Sequence, residues 1–389
     1  MDVKQFENSP IGRLERINGT DALNRTYDHF AFVPEPLPAE ISLSGPTQNT
    51  VSEAGIALGR LDGEGNRLPH PSNLARPAIR AEAVSTSALE GTYTTLPRVM
   101  QSELMGGDTS SEDREVLDYV RAAEFGFALV KQGQPVSLNL IKLLHGKLMA
   151  NDPHCPSNEK GEIRSRQNFI GPRNAEIANA FFVPPPHGPL LERGLYDWES
   201  WIHRKGELPL LVRVAVGHYQ FETLHPFVDG NGRIGRLVAI LLLLDEGALS
   251  VPLLNISPYL EERRDEYQDR LRQVSATGDF DQWVQFLSEG IRVQALAGLE
   301  KTHRLLQLKE EMVSTLRKRN VRGTAIQVAE DLIGTPVLTT TEVRDTYGIT
   351  YQSASSIIQT LVSAGLLESM PWKANRLLYY SSAVLDIYG

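Results

Sequence analysis

The sequence predicts a mainly α-helical protein: a helical core interrupted by one inserted β-hairpin, followed by a small winged-helix module. Three observations carry this. Segments between residues 77 and 318 place apolar side chains at helical spacing and meet recognisable caps. One stretch, Ile163–Val183, breaks that rhythm with strand-like runs on either side of a polar turn. Beyond Gly323 the segments shorten into the order helix, helix, turn, helix and hairpin.

Taken in order, the first fifty residues hold Pro10, Pro34, Pro36, Pro38 and Pro46, and read as a loop-rich packing arm without a core of its own. Ile56–Gly65 is short and broken by glycines, and Asp62-Gly63-Glu64-Gly65-Asn66-Arg67 reads as a plain turn. Pro77–Leu89 is rich in helix formers, with Gly91 where a left-handed C-terminal cap belongs. Thr109-Ser110-Ser111-Glu112 fits a capping box opening a helix to about Gln132. Leu138–Met149 sets Leu138, Ile141, Leu144, His145 and Leu148 on one helical face, so His145 reads as core. Phe169-Ile170-Gly171 and Ala180–Val183 form the two hairpin limbs, and Pro184-Pro185-Pro186 ends them. Helices resume at about Leu191–His203, Leu208–Leu224, Arg233–Glu246, Pro258–Ala276 and Asp279–Lys318. In the tail, Ala325–Ile333 and Thr341–Tyr347 are short helices, and Gly348-Ile349 turns into Tyr351–Ala364. A polar turn around Lys373–Asn375 then separates two strand-like segments. The division expected is 1–100, 101–300 and 301–389.

Composition narrows the function. Of 389 residues, 41% are apolar and 22% charged, which excludes wholesale disorder. A balance of 39 Lys and Arg against 48 Asp and Glu gives −9, against a whole-chain grip on nucleic acid or anionic lipid. Cys155, the single cysteine, cannot close an internal disulfide or build a thiolate metal cage. The longest apolar run, Leu237–Leu244, is far below the roughly 20 residues of a membrane span. Met1–Pro10 has no basic segment followed by an apolar one. A soluble, cytoplasmic protein without a membrane partner is expected.

Chemistry concentrates in His225-Pro226-Phe227-Val228-Asp229-Gly230-Asn231-Gly232-Arg233-Ile234-Gly235-Arg236, which leaves one helix and opens another. Gly230 and Gly232 allow backbone N–H groups to turn inward as an anion nest, and the following helix N-terminus adds donors and dipole. Asn231 adds a side-chain donor. Arg233 and Arg236 lie one turn apart, so both reach one polyphosphate. Asp229 suits a Mg²⁺ that bridges phosphates, and His225 can take the proton of an attacking hydroxyl. Phe227 anchors the loop. A lone Gly-Asn-Gly would be an ordinary turn; the full set at this spacing is not. It is no Walker loop, since no Gly-Lys-Ser/Thr follows.

The segment resembles the signature of the Fic (filamentation induced by cAMP) family, His-x-Phe-x-Asp/Glu-Gly-Asn-Gly-Arg-x-x-Arg, at every fixed position. Gly161–Gly171 and Ala180–Pro185 are similar to that family's flap, His218–Glu222 to its lead-in helix, and Pro258–Tyr267 with Trp283 to the helices behind the nucleotide. The resemblance implies adenylyl transfer: AMP passes from ATP to a Ser, Thr or Tyr hydroxyl of a target protein, or of the chain itself, and pyrophosphate leaves. It implies His225 as general base, and Asp229 holding Mg²⁺ against the α- and β-phosphates. Gly230, Asn231, Gly232 and Arg233 become the anion hole, Arg236 faces the γ-phosphate, and Tyr267 contacts the nucleotide. The flap, Phe169, Ile170 and Gly171, would pin the target as an added strand. One departure is Arg263-Arg264, where many members carry Asn-Arg; the choice of base and nucleotide stays open, and rarer members transfer phosphocholine, UMP or phosphate.

Thr86-Ser87-Ala88-Leu89-Glu90-Gly91 resembles the family's inhibitory helix, Ser/Thr-x-x-x-Glu-Gly/Asn. It implies that Glu90 pairs bidentately with Arg236 and displaces the γ-phosphate, leaving ATP misaligned for attack. Some members use the same Glu to remove AMP. His218, seven residues before His225, reads as a buried hydrogen-bonded ring rather than half of a metal pair. The competing class is a nucleotide-sensing regulator that binds DNA through the winged helix. From Lys301 to Gly389, ten Lys and Arg against eight Asp and Glu give only +2, and Tyr351–Ala364 carries neither Lys nor Arg. Arg344, Lys373 and Arg376 are too few for a duplex. A protein-docking or dimer-supporting role is expected, and an intact His225 points to catalysis.

Overall fold

The computed structural model describes every residue except 22–23, 68–71, 106–108, 173–174, 205, 207, 372–376 and 389. The expected turn at Lys373–Asn375, and Arg376 beside it, lie outside the described residues.

The first fifty residues correct the packing-arm expectation. They form an antiparallel hairpin, β1 (Gly12–Thr20) and β2 (Thr26–Pro34), paired from Gly12 with Pro34 to Thr20 with Thr26. Its buried residues, Ile17, Ala31, Phe32 and Val33, join Phe6 and the flap residues Phe182 and Val183 in a second small core. Prolines at the ends of the strands had masked the alternation between them.

Helix α1 (Gly45–Gly65) absorbs the segment read as glycine-broken. Val51, Ala54, Ala57, Leu58 and Leu61 follow helical spacing into the core, while Gly55, Gly59 and Gly63 sit on the outer face. Asp62–Gly65 is thus its last turn; Asp62 accepts from Ser250 N at 2.6 Å. Helix α2 (Ser72–Leu89) starts before Pro77, which lies inside it. Helix α3 (Leu96–Met105) was not expected; Pro97 sits in its first turn, where proline is tolerated. Helix α4 (Ser111–Lys131) is capped by Ser110, whose side chain accepts from Asp113 N, one residue on from the predicted box. Helix α5 (Leu138–Leu148) lies where expected.

The flap corrects the hairpin expectation. Among the described residues no ladder forms; a single antiparallel bridge joins Ile170 and Phe182, with a 3₁₀ turn at Ile177–Asn179 between them.

Helices α6 (Pro189–Ile202), α7 (Leu210–Leu224) and α8 (Asn231–Asp245) follow. Every residue of α7 from Leu211 to Leu224 is buried, the mark of a central helix. Trp198 and Trp283 donate their indole N–H groups to Gly217 O and Ala215 O of α7 at 2.8 and 2.7 Å. The helix expected over Pro258–Ala276 is two, α9 (Ser257–Glu262) and α10 (Arg264–Thr277), broken where Arg263 leaves helical geometry at φ −122° and ψ 35°. Helix α11 (Asp281–Lys318) packs along α1 and runs on toward the tail.

The tail keeps the expected order: α12 (Thr324–Asp331), a short β3 (Val337–Leu338), α13 (Thr340–Tyr347), α14 (Tyr351–Ser363), then β4 (Glu368–Pro371) and β5 (Leu377–Tyr380). The strands form one antiparallel sheet in the order β3-β5-β4, and α15 (Ser382–Tyr388) closes the chain. Thr339 and Glu342 make the capping box of α13. Asp331 accepts from Asn73 of α2 at 2.8 Å and from Tyr347 at 2.6 Å, so the tail rests on the start of α2. No helix is long and apolar enough to cross a membrane, among the described residues.

Candidate active site

The site is built on the loop between the two central helices. His225 ends α7 in the left-handed region, φ 50° and ψ 62°, which costs a non-glycine residue about 1–2 kcal/mol. Arg164 holds it there: its Nε donates to His225 O at 2.9 Å and its Nη2 to Pro185 O at 2.5 Å. His225 Nδ1 lies 3.2 Å from Glu222 O. That acceptor assigns the proton to Nδ1 and leaves the Nε2 lone pair free. Burial, helped by the Arg164 charge, lowers the ring's pKa to about 4, so it is neutral at physiological pH.

The loop is braced from two sides. Phe227 stacks on His145, with ring centroids 3.8 Å apart and planes 3° from parallel. His145 takes Gly161 N at 2.9 Å and gives Nε2 to Asp229 O at 3.1 Å. Burial drives its pKa to about 4 as well. The ring read as core is therefore a strut of the loop. Asn231 bonds both backbone groups of Phe227 at 2.8 Å. Its side-chain donor is thus occupied in this structure, and what it offers an anion is its backbone N–H in the first turn of α8, where helical partners are lacking.

Gly230 precedes α8 at φ 75°, a turn that glycine makes without strain. Asp229 gives one carboxylate oxygen to Gly230 N at 2.5 Å, and its side chain is 68% exposed beside the nest. Arg233 is buried and meets Glu115 of α4 at 2.5 Å. The second oxygen of Glu115 accepts from Thr92 at 2.8 Å.

Arg236, also buried, is held by the end of α2. Its Nη2 lies 2.6 Å from Glu90 Oε1 and 3.1 Å from Thr86 O, and its Nε 2.7 Å from Thr86 Oγ1. The pairing implied as bidentate is a single carboxylate oxygen plus both oxygens of Thr86. Burial works to raise the Glu90 carboxyl, but Arg236 outweighs it and holds the group below its ordinary value. A Cβ at Gly232 would meet the ends of the Glu90 and Arg236 side chains, so any larger residue there would have to displace this ion pair. Arg264 donates to Ala88 O at 2.7 Å and to Leu89 O, capping the same helix end.

One cavity connects these groups, lined by Glu90, His225, Arg236 and Tyr267 with Ile170 and Phe182 of the flap. Tyr267 is buried, its hydroxyl 2.8 Å from His218 Nε2, and His218 stacks against Trp283. Glu222 stands behind with its pKa raised to about 7 by burial. Sequence reasoning missed Glu115, and it placed Arg164 and Arg264 only within family-like runs, without these contacts. Their side chains act across long stretches of chain, so spacing carries no sign of them.

Residues 48–128 match the Fic/DOC family N-terminal model, and residues 135–243 match the Fic/DOC family model. "Protein adenylyltransferase fic-1" of Caenorhabditis briggsae is 28% identical over 228 residues, 56% of this chain and 41% of that protein. "Protein adenylyltransferase Fic" of Drosophila grimshawi is 27% identical over 231 residues, 57% of this chain and 44% of that protein. The chain spans less than half the length of these curated relatives. A Fic family protein from Desulfovibrio desulfuricans shares the fold at a TM-score of 0.56 and 19% identity, over 89% of this chain and 98% of that one. Fic-1 from C. elegans does so at 0.51 and 22%, over 67% and 74%. With the signature complete from His225 to Arg236 and both family regions matched, the chain carries a Fic/DOC domain over residues 135–243, preceded by that family's N-terminal region over 48–128.

Proposed function

We propose that this chain is a protein adenylyltransferase, restrained by its own α2. The observation that carries the reading is His225: a neutral ring, its Nδ1 on Glu222 O, with the Nε2 lone pair free beside the N-terminus of α8. A target hydroxyl oxygen attacks the α-phosphorus of ATP while its proton passes to Nε2. The bond from that phosphorus to the bridging oxygen breaks, and pyrophosphate departs. The first-turn N–H groups of α8 and Arg233 receive the phosphates, and Arg236 receives the γ-phosphate once Glu90 leaves it. Asp229 fits a Mg²⁺ role as one exposed hard ligand, the rest of the shell coming from phosphate and water, and the ion would neutralise the leaving pyrophosphate. The relatives, named as protein adenylyltransferases, support the same activity.

Residues 1–100 bring the restraint, 101–300 the chemistry, and 301–389 a docking surface for protein or a second copy. DNA is not favoured, because α14 presents no Lys or Arg. The test uses Glu90→Gly protein with Mg²⁺ and ATP labelled at either the α- or the γ-phosphate. Label on protein from the α-position alone is expected; label from the γ-position would mean phosphate transfer instead.

A further inference from the structure

We infer that the N-terminal hairpin is the platform that holds the flap in position for the acceptor segment. The inference rests on the transferase reading, since it concerns where the target docks, but its structural basis is separate. Ile170 exchanges backbone bonds with Phe182, N to O at 2.8 Å and O to N at 3.1 Å. The next residue faces the other way: Val183 O accepts from Phe32 N of β2 at 2.9 Å. Phe182-Val183 of the flap thus lies between β2 on one side and Ile170 on the other, bonded to each through backbone groups.

A lone bridge in water is marginal without such a partner. Here Phe6, Phe32 and Phe182 close a buried triangle with ring centroids 5.6 to 5.8 Å apart. Arg25, in the hairpin turn, donates to Ala175 O within the flap loop at 2.6 Å. The hairpin in turn is referenced to the catalytic helices: Ser9 donates to Ser275 O of α10 at 2.7 Å, and Gln220 of α7 to Glu35 O at 3.2 Å. Position therefore passes from α7 and α10 through the hairpin to the flap.

The opposite edge is left open. Ile170 turns both backbone groups to Phe182, so Phe169 and Gly171 turn theirs outward, and neither makes a backbone bond among the described residues. That is the edge an extended acceptor segment would join.

The test introduces Arg25→Ala and, separately, Phe6→Leu into Glu90→Gly protein, with three readings: amide exchange at Ile170 and Phe182, AMP on the protein, and AMP released to water. Exchange at both amides is expected to quicken about tenfold. Self-labelling should fall about fivefold, while release to water, which needs no docked segment, stays level. Unchanged exchange in both variants overturns the inference. A parallel fall of labelling and release also overturns it, because the hairpin would then support the whole site. If the Glu90→Gly parent carries no label at all, the transferase reading fails, and the exchange result still decides whether the hairpin holds the flap.

Discussion

Arg236 Nη2 and Glu90 Oε1 lie 2.6 Å apart, although 146 residues separate them in the chain. The carboxylate occupies the guanidinium from the side of Gly232, where a polyphosphate on the first turn of α8 would need it. A charge-assisted contact of this kind is worth about 1.5–3 kcal/mol. That corresponds to one or two orders of magnitude in the population of the productive pose.

Thr86 accepts from Nε of the same arginine at 2.7 Å and, on the proposed reading, shares the restraint. Thr86→Val should therefore release part of the activity, about two- to tenfold in label incorporation, the worth of one neutral-acceptor bond. It should stay below Glu90→Gly. Equality with wild type would assign the hold to Glu90 alone.

On the proposed mechanism, His225 sets the pH dependence. Its ring is depressed to about 4 by burial and Arg164, so the basic form persists as pH falls. Glu90 works to raise that value, and its removal pushes it further down. Labelling by Glu90→Gly protein should stay level from about pH 8 to 5 and drop only below that. Initial rates across this range check it; a midpoint near the ordinary imidazole value would contradict it.

Glu115 holds the other arginine. Arg233 is buried, and Glu115→Ala leaves its Nη1 without the acceptor seen at 2.5 Å. In Glu90→Gly protein the KM for ATP should rise about tenfold while kcat changes less, with Glu115→Gln between the two. An unchanged KM would show that Arg233 keeps its orientation without Glu115.

The signature could be read from the sequence because its residues are contiguous, and the turn between α7 and α8 brings them together locally. Glu90 was legible for a similar reason, as a helix ending in Glu-Gly. The contacts of Arg164, His145 and Arg264 were not, since each acts on a backbone group far away in the chain: His145 on Asp229 O, for example, across 84 residues. The hairpin was hidden differently. Ala31-Phe32-Val33 is a short apolar run whose meaning depends on Phe182 and Val183, and a reading along the chain cannot place those beside it. The flap failed in the opposite direction. Its strand-like composition was real, but the 3₁₀ turn at Ile177–Asn179 takes up residues that a ladder would need.

Asp229 gives a further check. Its side chain is 68% exposed, with one oxygen held by Gly230 N. Asp229→Ala should remove most of the difference between ATP binding with Mg²⁺ and with chelator, measured by calorimetric titration. An undiminished difference would place the ion elsewhere.

The most direct test of the central claim compares label from α-labelled ATP on three proteins: wild type, Glu90→Gly, and Glu90→Gly with His225→Ala. The single substitution frees Arg236, and the double one removes the base, whose loss typically costs about 10²–10⁴ in rate. The expected order is low, high and none, with ATP affinity retained in the double variant. Equal labelling of wild type and Glu90→Gly would contradict the restraint, and labelling that persists without His225 would contradict the mechanism.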